Sequence, residues 1–322
     1  MPKLFLGNSL KKVVDRAPAL RYVLWGIEAL LMGVAMGTSA LLPPDRASAT
    51  GRRLFRAIGP HLDKTRKFRT NLTLAFPDKS PAAIETLIRD SWGNIGAVLA
   101  EYPHLKTIHR AAYASRLEVI IKGDSEVFQP GGPPAVFVAG HLANWEVPAG
   151  AAAHLGIPLS VIYTPLQNPW LNRLLYRARA QMGCGLIARD GALRGLMQAL
   201  DTGQSVGLLV DQRVDSGEMV PFFGIDKLTS TIPARLALRY HCDLIPTQVE
   251  RLENARFRVT FHDPVTPPAD VADEHQKILD MTRTLNRLFE TWITAAPQDW
   301  LCSKRLWPKG AQHPDHRRDK VA

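Results

Sequence analysis

Cysteine is scarce in this chain. Cys184, Cys242 and Cys302 are scattered and odd in number, with no C-x-x-C pair. That spacing supports neither a disulfide framework nor a thiolate zinc site, and it fits a reducing compartment. A G-x-S-x-G segment is also missing, which excludes the nucleophile elbow of serine hydrolases. Ser160 and Cys184 have no local partner to activate them. His141, Glu146 and His154 can be drawn as metal ligands, but no histidine pair stands at i, i+4 on one helical face. No second acidic cluster adds a further ligand, so no metal is expected. Internal repeats and low-complexity stretches are absent. Acidic residues are in the minority, 30 against 40 Lys+Arg, which gives a formal charge of +10. Such an excess favours an anionic partner: nucleic acid, membrane phospholipid or an acidic carrier protein. The lack of a basic–aromatic recognition motif argues against nucleic acid.

What is present begins with an apolar run. From Tyr22 to Leu42 the chain carries one charge, Glu28, and the run stops at Pro43-Pro44. Its length matches the roughly 20 residues that cross a bilayer core. A cleaved signal peptide fits less well, because the run is long and Lys11, Lys12 and Arg16 lie far from the start. Residues 1–44 therefore read as a membrane-anchoring helical segment; the bland alternative is a long buried helix of a soluble protein. Basic residues flank both sides, so charge sets no orientation. Residues 45–75 are basic, with the run Lys64-Thr65-Arg66-Lys67-Phe68-Arg69. That run is either a solvated helix face or a contact with anionic head groups, and the neighbouring apolar segment favours head groups.

Beyond Ser80-Pro81, an N-cap followed by proline at the first helical position, apolar residues at Ile84, Leu87, Ile88, Ile95 and Val98 predict a core-packing helix. An alternation follows. Strands are expected at 117–122, 135–139, 157–163, 185–188, 205–210, 244–250 and 256–262. Helices are expected at 144–154, 169–182, 191–202, 231–241 and 271–295. This is the pattern of βαβ units, hence an α/β fold with a mostly parallel sheet flanked by helices. One catalytic domain is expected over 45–308, with a basic tail at 309–322.

The segment Val136-Phe137-Val138-Ala139-Gly140-His141-Leu142-Ala143-Asn144-Trp145-Glu146 carries the chemistry. A short apolar run ends in Gly-His, and a carboxylate follows five residues later. A histidine at the carboxyl end of a strand lies where open α/β sheets bind ligands. A neighbouring carboxylate can fix its tautomer, and Glu146 is the expected partner of a general base, His141. The turn at Asn144-Trp145 would present backbone N–H groups to an oxyanion. A lone histidine is more often an ordinary polar residue. Two further strand ends strengthen the case: Arg189 after 185–188, and Asp211-Gln212 after 205–210. The helix at 169–182 adds Arg177 and Arg179, which also read as a solvated basic face. Arginines at such a crevice can clamp phosphates or stabilise developing charge.

Over roughly residues 10–308 the sequence resembles the lipid A biosynthesis acyltransferases, the late lauroyl/myristoyl transferases, and more distantly the glycerolphosphate acyltransferases. The matching phrases are Asn71-Leu72 to Phe76-Pro77, Gly140 to Glu146, Asn168-Pro169 with Arg179, Asp211-Gln212, Pro221-Phe222-Phe223-Gly224, and Thr229 to Ala234. The resemblance implies an inner-membrane enzyme, its catalytic domain on the cytoplasmic face. It would move a fatty acyl group from acyl carrier protein to a hydroxyl of an anionic glycolipid, a lipid A precursor. His141 would deprotonate the hydroxyl with Glu146 polarising the imidazole, without a covalent intermediate or a cofactor, since the thioester is already activated. Asn144, Arg177 or Arg179, Arg189, Asp211, Gln212, Phe222 and Phe223 would line the substrate site. The ending Trp300-Leu301-Cys302-Ser303-Lys304-Arg305-Leu306-Trp307 departs from the family in lacking its histidine. Two alternatives stay open: acylation of another lipid, such as a lysophospholipid, ornithine lipid or phosphoinositide mannoside, and a non-catalytic lipid-binding protein.

Overall fold

The computed structural model describes residues 18–109 and 116–313. The residues before 18, and those of the basic tail from 314 on, lie outside the described residues. In chain order the helices and strands are α1 (Pro18–Ala40), α2 (Pro44–Ile58), α3 (Thr65–Ala75), α4 (Pro81–Glu101), α5 (Leu105–His109), β1 (Leu117–Ile121), β2 (Val136–Ala139), α6 (Val147–His154), β3 (Leu159–Tyr163) and α7 (Pro169–Ala180). There follow β4 (Gly185–Ala188), α8 (Ala192–Asp201), β5 (Ser205–Leu209), β6 (Glu218–Phe222), β7 (Ile225–Thr229), α9 (Ile232–Tyr240), β8 (Leu244–Arg251), β9 (Phe257–Phe261) and α10 (Glu274–Ala295).

Seven strands form one sheet in the order β1-β9-β8-β2-β5-β3-β4. The stretch from β8 to β4 is parallel throughout, as the alternation predicts. β9 runs antiparallel to β8, and β1 is parallel to β9. The β8–β9 connection spans residues 252–256, too short for the crossover that a parallel pair requires. β2 sits in the middle and is buried along its whole length, consistent with its unbroken apolar run. Its register pairs Ala139 with Leu209 of β5. His141 and Asp211 each lie two residues past that pair, so the sheet delivers them side by side.

The helix start signals are realised. Ser80 Oγ accepts from the Ala83 amide, and Asn168 Oδ1 accepts from the amides of Trp170 and Leu171. The basic stretch 45–75 is mostly helical, in α2 and α3. α2 packs tightly on α4, because both are glycine at the crossing. A Cβ on Gly51 would come within 2.2 Å of the Gly96 carbonyl oxygen, and a Cβ on Gly96 within 2.2 Å of the Gly51 oxygen.

α1 does not stand away from the domain. Asn168 Nδ2 donates to the Trp25 carbonyl at 2.9 Å and to Glu28 at 3.2 Å. Toward the other end, Ser39 Oγ donates to the Ala100 carbonyl at 2.6 Å, and His104 Nε2 meets the Ser39 carbonyl at 3.0 Å. Trp25, Glu28 and Ser39 are buried on this side. Tyr22, Val23, Ile27, Leu30, Leu31 and Val34 are exposed on the other.

A hairpin, β6–β7, lies outside the sheet. Phe223 (φ +51°) and Gly224 (φ +68°) make its two-residue turn, both in the left-handed region that such tight turns demand. The hairpin is held to α10 by Asn286 Nδ2 on the Pro221 carbonyl and by Glu290 Oε1 on the Phe223 amide.

Candidate active site

His141 emerges from the end of β2 with its imidazole one-fifth exposed. Its Nδ1 lies 2.6 Å from Asp211 Oδ1, and its backbone N–H donates to the same oxygen at 3.0 Å. The second carboxylate oxygen accepts from Trp300 Nε1 at 3.1 Å. Asp211 is fully buried. Burial alone pushes its carboxyl up, yet the neighbouring His141, through charge and hydrogen bonds, and then Lys227 outweigh this and hold it below the usual range. With Nδ1 occupied by an ionised carboxylate, Nε2 is the ring nitrogen left for a substrate proton.

Glu146 was expected in that role, and the structure places it elsewhere. Ala143 adopts φ +48°, which turns the chain between His141 and Glu146. Glu146 then stands at the N-cap position of α6 without capping it, and its carboxylate faces Arg179 and Tyr102. Arg179 reaches it through Nε at 3.0 Å and Nη2 at 2.7 Å, and Tyr102 donates its hydroxyl. Burial pushes the Glu146 carboxyl up, but Arg179 and Tyr102 bring it below its ordinary value. Arg179 Nη2 also donates to Tyr102 Oη at 3.0 Å, and the guanidinium stays charged despite burial.

The turn between the two groups is pinned from several sides. Asn94 Nδ2 donates to the Ala143 carbonyl at 2.8 Å, and the Ala143 amide donates to the Asp299 carbonyl. Asn144 is fully buried, with Nδ2 on Glu101 Oε2 at 2.8 Å and Oδ1 accepting from the Glu146 amide. Glu101 is itself paired with Arg251 of β8, which also donates to Asn94 Oδ1 at 2.8 Å. The segment after α10 closes the site: the Leu301 amide donates to the His141 carbonyl at 2.9 Å, and Leu142 bridges Trp300. Asn71 holds this strap by donating to the carbonyls of Cys302 and Lys304.

The residues expected to contact substrate are placed differently from one another. Asn144 and Asp211 are fully buried, Asn144 holding the turn and Asp211 the imidazole. Phe222 lies in the core, against Trp300 and Trp307. Phe223 is half-buried between Phe76 and Trp300. Gln212 is half-buried beside Asp211, and Arg177 is exposed on α7. Arg189 is exposed at the end of β4, the sheet edge three strands from β2, so it does not converge with His141. Tyr102, Trp300 and Lys227 are site residues that the sequence reading missed. Only Trp300 carried a signal, as part of the strap phrase.

The profile of the bacterial lipid A biosynthesis acyltransferases matches residues 15–309, nearly the whole chain. This chain belongs to that family. As a lipid A acyltransferase family member it is similar to the lipid A biosynthesis myristoyltransferase of Escherichia coli K12, at 25% identity over 288 residues, 86% of this chain and 84% of that one. The lipid A biosynthesis acyltransferase of Haemophilus influenzae is 22% identical over 250 residues, 76% of each chain. The solved 1-acyl-sn-glycerophosphate acyltransferase of Thermotoga maritima overlaps at TM-score 0.35 and 15% identity, covering 71% of this chain and 95% of that one. That overlap is too loose to argue from; the mostly parallel sheet speaks for itself. The protein is an acyltransferase of the lipid A family.

Proposed function

We propose that this acyltransferase carries a fatty acyl group from the thioester of acyl carrier protein to a hydroxyl of a lipid A precursor, with His141 as general base. The observation that carries this is the Asp211–His141 contact at 2.6 Å on Nδ1 of an imidazole that is one-fifth exposed, so that Nε2 is the nitrogen left for a substrate. In the proposed step Nε2 takes the proton of the acceptor hydroxyl while its oxygen attacks the thioester carbonyl. The tetrahedral oxyanion collapses as the C–S bond breaks, and the imidazolium returns its proton to the departing thiolate. Asp211 stabilises the imidazolium between these events, the role an orienting carboxylate plays beside a general base. Arg179, kept charged by Glu146, and the amide of the half-buried Trp145, which no acceptor takes among the described residues, are the groups proposed for the oxyanion. The net charge of +10 suits an acidic carrier and a phosphorylated acceptor.

A membrane acceptor requires a membrane-facing surface, and α1 supplies the candidate: Leu20–Ala40 is long and apolar enough to cross a bilayer by length and composition. Its fastenings at Trp25 and Ser39 are 14 residues apart along the sequence, about 21 Å of helix at the usual rise. A spanning α1 would drag α4 and the arginine-bearing α7 into the hydrocarbon. We infer that it lies in the plane of the interface, with Trp170 and Tyr176 of α7 exposed beside it. The proposed location is the cytoplasmic face of the inner membrane. Assays with labelled acyl carrier protein thioester against a lipid A precursor, a lysophospholipid, an ornithine lipid and a phosphoinositide mannoside test the reading. Absence of product with the lipid A precursor would sink it.

A further inference from the structure

Lys227 lies on β7 with its side chain wholly buried, a place where a lysine is seldom found without a partner. Nζ donates to the backbone carbonyl of Asp211 at 2.6 Å and stands 3.9 Å from the centre of the Phe222 ring. The ammonium therefore lies against the backbone of the residue whose carboxylate holds His141, near enough for its charge to act on that carboxylate. Its position is firmly set. Trp307 Nε1 donates to the carbonyls of Phe222 and Ile225, and Asn286 and Glu290 of α10 hold the other strand and the turn.

The charged groups around it are few. Asp211, at the end of β5, and Glu290, on α10, are the two anions acting on Lys227; Arg287 of α10 acts on Glu290, and His141 acts on Asp211. Burial pulls the ammonium down to about 8 against the pull of both carboxylates. A cation costs this much to bury, and a neutral side chain of the same length would fill the space without that cost. The backbone carbonyl needs only a donor, not a charge. What a charge adds is its field on the pair in front of it.

We propose that Lys227 is a positioning residue of the acyl-transfer site, whose buried charge beside Asp211 helps keep the carboxylate ionised and weakens its hold on the imidazole proton. The inference rests on the reading of His141 as the general base. In front of an unopposed carboxylate an imidazole holds its proton more tightly, and a protonated His141 cannot accept one from a hydroxyl. The ammonium opposes that hold. The same field weakens the imidazolium during the reaction, so the lysine trades base strength for availability, the compromise expected of a base working near neutral pH.

The test is a ¹³C-histidine NMR titration of the full-length protein in lipid nanodiscs, with His141→Gln used only to assign the ring signal. Lys227→Met should raise the midpoint of the His141 titration by roughly half to one pH unit, the size expected for a charge at this range. Glu290→Gln, which leaves the ammonium less opposed, should lower it. A folded Lys227→Met protein with an unmoved midpoint would overturn the proposal, since a structural tether alone predicts lost activity and no shift. Where Lys227→Met does not fold, Glu290→Gln decides: a downward shift supports the proposal, and an unmoved or raised midpoint overturns it. The titration needs no substrate. A midpoint shift with no acyl transfer to any lipid A precursor would therefore discard the acceptor reading and leave the role of Lys227 standing.

Discussion

Replacing Asp211 by Asn keeps the side-chain volume and an oxygen for Trp300 Nε1, but it removes the charge that steadies an imidazolium. The expected loss in kcat is about 10²- to 10⁴-fold, the share general-base catalysis commonly supplies, with thermal unfolding little changed. Glu146→Gln should act differently. It loosens Arg179, so activity falls, yet the acid limb of the pH–rate profile stays where it was, because Glu146 does not touch His141. The profiles of the two variants decide between these carboxylates: a limb that moves in Glu146→Gln and not in Asp211→Asn would return the pairing to Glu146. His109 makes a separate, structural prediction. Among the described residues neither ring nitrogen has a hydrogen-bond partner, and burial lowers its pKa to about 4. A group lowered in this way contributes stability that is complete above its unfolded value of about 6.5 and is lost as pH falls toward 4. Urea unfolding should therefore show a drop of at most about 3 kcal/mol across that window, smaller in His109→Leu. An identical drop in the variant would contradict the assignment.

At the scale of elements, the α2–α4 crossing depends on two glycines in contact. Gly96→Ala should push the helices apart and cost about 1–3 kcal/mol, read as a lowered melting temperature. An unchanged melting temperature would mean that the crossing can give way at no cost. For α1, spin labels at Val23, Ile27, Leu30 and Val34 in a bilayer should report one common depth. A steady deepening along the helix would mean that it spans. The elements were legible wherever the period was strong: all seven sheet strands and the helices from α4 onward, α5 apart, stand within a few residues of the sequence expectation. The hairpin was not. β6 carries Pro221, which weakens any strand reading, and β7 mixes Asp226 and Lys227 into five residues. α2 and α3 were read only as a basic surface: α2 buries just the small Ala47 and Ser48, and in α3 the buried Phe68 and Leu72 are set among Arg66, Lys67 and Arg69.

Across the whole molecule, the site is assembled from distant parts of the chain. His141 and Asp211 are 70 residues apart, and the register of β2 on β5 brings them together. No local spacing contains that pairing, whereas Glu146, five residues from His141, is the partner that spacing suggests, and its carboxylate goes to Arg179 and Tyr102 instead. The strap from Trp300 to Trp307 extends the same logic to the end of the fold, since it touches Asp211, His141 and the hairpin at once. Trp300→Phe keeps an aromatic ring but removes the N–H on Asp211 together with part of the buried indole. It should lower kcat roughly tenfold, the worth of one charge-assisted hydrogen bond, while the protein still folds. Unchanged kcat would show that the indole merely fills space.

The most direct test of the central claim is mass spectrometry of a lipid A precursor incubated with the full-length enzyme and an acyl carrier protein thioester. The account predicts a gain of one acyl chain, abolished by His141→Ala and strongly reduced by Asp211→Asn. No gain with the intact enzyme, or a gain that survives His141→Ala, would contradict it.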